Sequence, residues 1–205
     1  MQRKPVICLV MATLSEAKPF IKGLSLIRTS VKPFPIYRAG NIIAVISGIG
    51  KANSAMATAY ACMESDPGLF VNLGAAGATD ASLPLGANLH INRAVEYDRP
   101  EEGSKAPHEH TPDVLVGFPL AAVATLDRPT LKVSERRKLA KVTQLADMES
   151  AAFIQACRTF GKKCYVFKFV TDTPAHAGGS DIVLNIEKYR DRFLDFFLRS
   201  ALPRL

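Results

Sequence analysis

The stretch VICLVMATLSEAKPFIKG, residues 6–23, decides the fold class. Residues 6–11 are six apolar side chains in succession, the pattern of a strand buried on both faces. A helix is expected directly after it, with Ser15 as its N-cap and Gly23 as its stop. The same strand-then-helix order recurs along the chain. Residues 42–47 (IIAVIS) form a second buried strand, ending at Gly48-Ile49-Gly50 before a long helix over residues 52–63. Residues 69–73 form another, ending in a turn at Gly74-Ala75-Ala76-Gly77. Further strands are expected at residues 89–95, 120–125 and 164–171, with helices over 148–160 and 182–198. Such alternation predicts an α/β fold in which helices cover both faces of a parallel or mixed sheet. No internal repeat and no shift of composition divides residues 1–205, so one domain is expected.

The bulk composition narrows the function. At 205 residues, 48% apolar and 22% charged, the chain has the makeup of a globular protein and excludes a disordered one. No apolar run reaches the ~18–20 residues of a membrane span. The basic start MQRK before an apolar run resembles a signal peptide, but Ser15, Glu16 and Lys18 follow at once. The segment therefore reads as strand and helix, and a cytoplasmic location is expected. Cys8, Cys62, Cys157 and Cys164 sit in apolar segments without metal-ligand spacing, so they are expected as buried free thiols, with no metal site. The formal charge of +7 raises the question of nucleic acid. It is scattered over Arg136-Arg137-Lys138 with Lys141, Lys162-Lys163, and Arg190, Arg192 and Arg199, with no recognition motif around it. A solvated basic surface is expected, without a nucleic-acid or membrane partner.

In a sheet of this kind ligands bind beyond the carboxyl ends of the strands. The residues following each expected strand are Glu16, the turn GIGKANSA, the turn GAAGA, Asp98, Asp127 and Asp172, and Asp147 and Glu149 stand at the start of a helix. Carboxylates thus recur at one end of the sheet together with two glycine-rich turns, where backbone N–H groups can approach a ligand. Neither turn has phosphate-loop or dinucleotide spacing. Asp147 can serve as a helix cap and Asp172 as a turn residue. Glu149 is set among apolar and small residues, and a buried carboxylate needs a partner or a ligand. The residues alone point to an acidic pocket with general acid–base capacity and do not name its substrate. The polar segment 98–113, with His108 and His110, reads as a surface loop of functional length.

The strings SGIGKANSAMAT, VNLGAAGA, ADMESAAFIQAC and FKFVTDTP resemble, in that order, the nucleoside phosphorylase and nucleosidase superfamily. The nearest likeness is to methylthioadenosine/S-adenosylhomocysteine nucleosidases and to futalosine hydrolase, whose opening is similar to ATLSEAKPF here. The resemblance implies a three-layer α/β/α sandwich around a mixed sheet, and hydrolysis of the N-glycosidic bond of a purine or 5′-modified purine nucleoside. It implies no cofactor, and a homodimer or larger assembly in which the loop histidines can serve a neighbouring pocket. It implies that Glu149 and Met148 lie under the ribose, that Asp172 protonates the purine N7 and that Glu16 activates water. Gly74, Ala75 and Gly77 would line the base and sugar pocket, with Asp127 beside it. The chain departs from the family at Ala75, where Ser is frequent, and at Leu126-Asp127-Arg128-Pro129, where an aromatic commonly stacks on the base. Two other readings compete. A phosphorylase would use phosphate as nucleophile, although a carboxylate at Glu16 repels it. A non-catalytic nucleoside- or nucleic-acid-binding protein would account for the charge.

Overall fold

A computed structural model describes residues 5–99, 108–176 and 178–205. Its strands are β1 (Ile7–Met11), β2 (Ile27–Ser30), β3 (Ile36–Ala39), β4 (Ile42–Ile46), β5 (Leu69–Ala78), β6 (Asn88–Glu96), β7 (His108–His110), β8 (Leu120–Thr125), β9 (Leu145–Asp147) and β10 (Lys163–Asp172). Its helices are α1 (Leu14–Gly23), α2 (Lys51–Ser65), α3 (Val133–Leu139), α4 (Ser150–Thr159) and α5 (Gly179–Phe196), the last continuing as a wider turn over Phe197–Ala201. The strands join in one mixed sheet. β1, β4, β5 and β10 run parallel in the order β4-β1-β5-β10, while β3, β6 and β9 pair antiparallel with β4, β10 and β5.

Helices cover both faces, as the alternation of the sequence requires. On one side Phe20 of α1 packs with Phe193 of α5 and with Phe197 against Leu9, Leu73, Phe167 and Phe169. On the other, Ala57 and Ala61 of α2 and Phe153 and Ile154 of α4 pack against Val10, Val45, Phe70 and Val166. Successive strand residues point to opposite faces, so the continuous apolar runs 7–11 and 164–167 serve both cores. No helix among the described residues is long and apolar enough to cross a membrane. The four cysteines are buried free thiols, as expected.

The sheet corrects the sequence reading at four places. α1 begins one residue before the expected cap. Thr13, not Ser15, is the N-cap, because T-L-S-E is a capping box: Glu16 N–H donates to Thr13 Oγ1 (3.2 Å) and Thr13 N–H to Glu16 Oε2 (3.0 Å). The segment GAAGA is strand, not turn, since β10 pairs with β5 through Gly77. The antiparallel strands β2, β3 and β7 and the short β9 were not expected; β2 is largely exposed, β7 falls in the polar stretch read as a loop, and β9 is too brief for periodicity to mark. Arg136, expected on the solvated surface, is only 2% exposed, because α3 turns it toward the end of β5.

One irregularity of the sheet creates room for a site. The first half of β5 pairs with β1 through Asn72, and its last residues pair with β9 from Gly77. Between them, residues 73–76 keep β10 on one side and have no ladder partner on the other. Strands β5, β10, β6, β8 and β9 meanwhile close into a ring of pairings. The gap between β1 and β9 is where backbone groups of β5 remain free for side chains and ligand.

Candidate active site

A cavity of about 160 Å³ opens at this gap. It is lined by Thr13 and Glu16 from the start of α1, Ala75 to Gly77 of β5, Met148 and Glu149 before α4, and Asp172 at the end of β10. Glu16, Glu149, Asp172, Met148, Ala75 and Gly77, read from sequence as distant candidates, therefore meet in one place.

Each carboxylate is anchored by at least one hydrogen bond, Glu16 and Asp172 by two or more. Glu16 Oε2 accepts from the Thr13 hydroxyl (2.6 Å) and amide, and Oε1 accepts from Ala75 N–H (2.8 Å), one of the free groups of β5. Gly74, expected in the pocket lining, is not in the cavity wall; it stands against Glu16, where a Cβ would lie 2.8 Å from Oε1. Glu149 Oε1 accepts from Gly50 N–H at 2.9 Å, so the GIGK turn at the start of α2 orients a carboxylate. Asp172 Oδ2 is paired with the Arg136 guanidinium, and Oδ1 accepts from Thr171 Oγ1 at 2.8 Å. Gly77 leaves the space for that pair; a Cβ would fall against Asp172 Oδ2 and 3.0 Å from Arg136 Nη1. The glycines of GAAGA thus matter for the missing side chain, not for a turn.

Asp147 and Lys168 complete the site and were not assigned together from sequence. Asp147 accepts from Thr125 Oγ1 (2.7 Å), from Ser150 N–H at the first residue of α4 (3.0 Å), and from Lys168 Nζ (2.8 Å). The N-cap position is Glu149, not the expected Asp147, yet the Asp147 carboxylate still takes the first N–H of α4, and it is also an ion-pair partner. Lys168 occupies the face of β10 that otherwise carries Cys164, Val166 and Val170, and is 1% exposed. Burial pulls its pKa down, but Asp147, Glu149 and Glu16 outweigh that, and the net shift is upward. A lysine in the middle of the apolar string FKFV was the available sequence signal. Burial raises the Glu149 pKa to about 7, against the opposing pull of Lys168; Asp147 and Glu16 add to the rise.

Four buried carboxylates therefore face two buried cations, Lys168 and Arg136. The arrangement favours a cation developing in the cavity and disfavours an entering dianion. No cluster of metal-ligating side chains occurs among the described residues.

Other candidates fall elsewhere. Asp127 is not in the cavity wall: its carboxylate lies 3.2 Å from Lys51 Nζ, which also holds Glu96 and Asp98. The adjoining Arg128, Pro129 and Thr130 take the wall position instead. His108 is exposed on β7, and His110 sits 3.9 Å from Glu96. The rest of the long loop, residues 100–107, lies outside the described residues.

Comparison with known proteins adds an independent line. The family model described as the Phosphorylase superfamily matches residues 7–121 and 118–201. A 5′-methylthioadenosine/S-adenosylhomocysteine nucleosidase of Halalkalibacterium halodurans is 25% identical over 156 residues, 64% of this chain and 67% of the relative. A crystal structure of the Helicobacter pylori nucleosidase mutant with 5′-methylthioadenosine in its active site superposes with a TM-score of 0.87 at 18% identity, covering 98% of this chain and 100% of that one. A futalosine hydrolase mutant from the same organism gives 0.83 at 19% identity, over 97% and 99%. At these identities the structural matches establish the fold.

Proposed function

The chain belongs to the phosphorylase superfamily, and from that premise we propose that it hydrolyses the N-glycosidic bond of a purine nucleoside, releasing free base and sugar. The observation that carries this reading is the convergence of Glu16, Glu149 and Asp172 on one cavity with carboxylates in excess over cations. The likeness to 5′-methylthioadenosine/S-adenosylhomocysteine nucleosidases supports it.

The chemistry follows from the charges. A purine anion leaves poorly, and a proton from Asp172 to N7 removes that obstacle. Since Arg136 occupies Oδ2, Oδ1, which accepts from the Thr171 hydroxyl, is the oxygen through which the proton passes to N7. As the C1′–N9 bond lengthens, the sugar gains oxocarbenium character. Glu149, fixed by Gly50 and set beside the Met148 backbone, bonds the ribose hydroxyls and stabilises that charge. Glu16 accepts a proton from the water that attacks C1′, its orientation set by Thr13 and Ala75. The step needs no group beyond these side chains, the nucleoside and water. Buried free thiols favour a reducing, cytoplasmic location. Met56 and Met63, exposed two turns apart on α2, suit a homo-oligomeric contact.

A panel of nucleosides incubated with and without phosphate tests the reading. Free base together with free ribose, or a free 5′-modified ribose, is the expected product. A sugar 1-phosphate in phosphate buffer would assign the chain to phosphorolysis instead, and absence of base release from every nucleoside would refute catalysis.

A further inference from the structure

We propose that Arg136 is a specificity-determining residue of the base subsite: it selects a purine carrying a carbonyl beside the protonated ring nitrogen, a 6-oxopurine, over a 6-aminopurine. The inference rests on the reading of Asp172 as the acid that meets N7.

Arg136 comes from α3, is buried, and lines the cavity beside Asp172. Its guanidinium donates from Nη1 to Ala78 O (2.6 Å) and from Nη2 to Asp172 Oδ2. That uses two of its five N–H donors. Nε–H is buried without a partner among the described residues. Gly77 keeps this corner open, since a Cβ would strike both members of the pair. Arg128, also in the wall, adds a second guanidinium, tied to Glu135.

The donor pattern of the pair decides which base fits. A purine read by a lone carboxyl group can place a 6-amino group on one oxygen and N7 on the other. Here the second oxygen, Oδ2, is already engaged by Arg136. A 6-amino group would then have to share Oδ2 with Arg136 and would lie against the remaining guanidinium N–H groups, donor against donor. A 6-carbonyl accepts from the same N–H groups while Oδ1 serves N7. A guanidinium cannot reverse its role, because it has donors and no acceptor. A site built on a buried hydrogen-bonding group rejects the analogue that cannot pair with it more strongly than an apolar site does.

The test uses pairs that differ only at position 6. The kcat/KM for base release is measured with inosine and adenosine, and with their 5′-methylthio analogues. Binding of free hypoxanthine and free adenine is measured by calorimetry, so that the base preference is read without turnover. The oxo member is expected to be favoured by about tenfold or more in both measurements. Arg136→Lys, which retains the positive charge and loses the fork, should shrink the ratio several-fold. Arg136→Met combined with Asp172→Asn, which leaves no buried charge unpaired, should bring the binding ratio close to one. Base release with equal or greater use of the amino member would overturn the inference and leave the hydrolase reading standing. An Arg136→Lys ratio equal to that of the wild type would overturn it too, as would failure to bind either base. Arginine-dependent preference for hypoxanthine without release from any nucleoside would support the subsite and refute the hydrolase. The wild-type ratio needs no variant to fold.

Discussion

Gly74 and Glu16, fifty-eight residues apart in sequence, are in such close approach that a Cβ on Gly74 would lie 2.8 Å from Glu16 Oε1. The neighbouring amide, Ala75 N–H, donates to that same oxygen. The strand therefore both makes space for the carboxylate and holds it, at the stretch of β5 that lacks a second strand partner.

Gly74→Ala should displace Glu16 and loosen its bond to Ala75. We expect kcat to fall by about tenfold or more, as misplacement near the reacting centre does, with a stability loss of about 1–3 kcal/mol from overpacking. Steady-state kinetics and a denaturant melt check this. Unchanged kcat in a folded Gly74→Ala protein would show that the position of Glu16 is not critical.

Glu149→Gln should keep the fold and lower kcat by about 10²-fold or more, because a neutral amide cannot stabilise the cationic sugar. The same substitution should alter stability in the opposite sense. The Glu149 pKa is raised to about 7 from 4.5, so the folded protein binds more protons than the unfolded chain between those values. Its contribution to stability accordingly declines as pH rises from 4.5 to 7 and stays low above. Thermal melts should show Glu149→Gln gaining on the wild type at pH 8 relative to pH 5. An identical difference at both pH values would contradict the burial of an ionisable Glu149.

Lys168 bears on the pH dependence of turnover. It opposes the burial effect on Glu149, and in the proposed mechanism the ionised carboxylate is the form that stabilises the cation. Activity should fall as pH drops through about 7. Lys168→Met should move this acid limb to higher pH, and Lys168→Arg should leave it near its original place. The Met variant should also lose about 3–5 kcal/mol of stability, since Asp147 is left buried without its cation. A pH–rate profile unmoved by Lys168→Met would separate Lys168 from Glu149.

Asp172→Asn should abolish release of natural purines and spare a nitrophenyl riboside, whose leaving group needs no proton. Equal loss on both substrates would make Asp172 a structural partner of Arg136 and not the acid.

Much of this was legible in the chain. Runs such as residues 6–11 and 42–46 are too uniformly apolar for a half-exposed strand, and with helical stretches between them they imply a covered sheet. The short motif around Glu149 and the TD at Thr171-Asp172 marked carboxylates that the fold brings together. The capping box at Thr13 is also written in the sequence, although Ser15 was the expected cap. By contrast, Arg136 and Arg137 stand side by side with identical local chemistry. Only the way α3 packs sends the first into the cavity wall beside Asp172 and leaves the second exposed. Likewise Asp127 looked like a pocket residue from its place after a strand, yet Lys51, from another element, draws its carboxylate away.

The sequence by itself determined the class of fold and the presence of acid–base groups at one end of a sheet, because strand and helix periodicities and strand ends are local properties of the chain. Only the tertiary structure decided which charges meet. The pairs Lys168–Asp147 and Arg136–Asp172 join positions 21 and 36 residues apart, and Gly50 reaches Glu149 across 99. Such pairings depend on distances of about 3 Å between separate elements and on the removal of water around them, which no local pattern encodes.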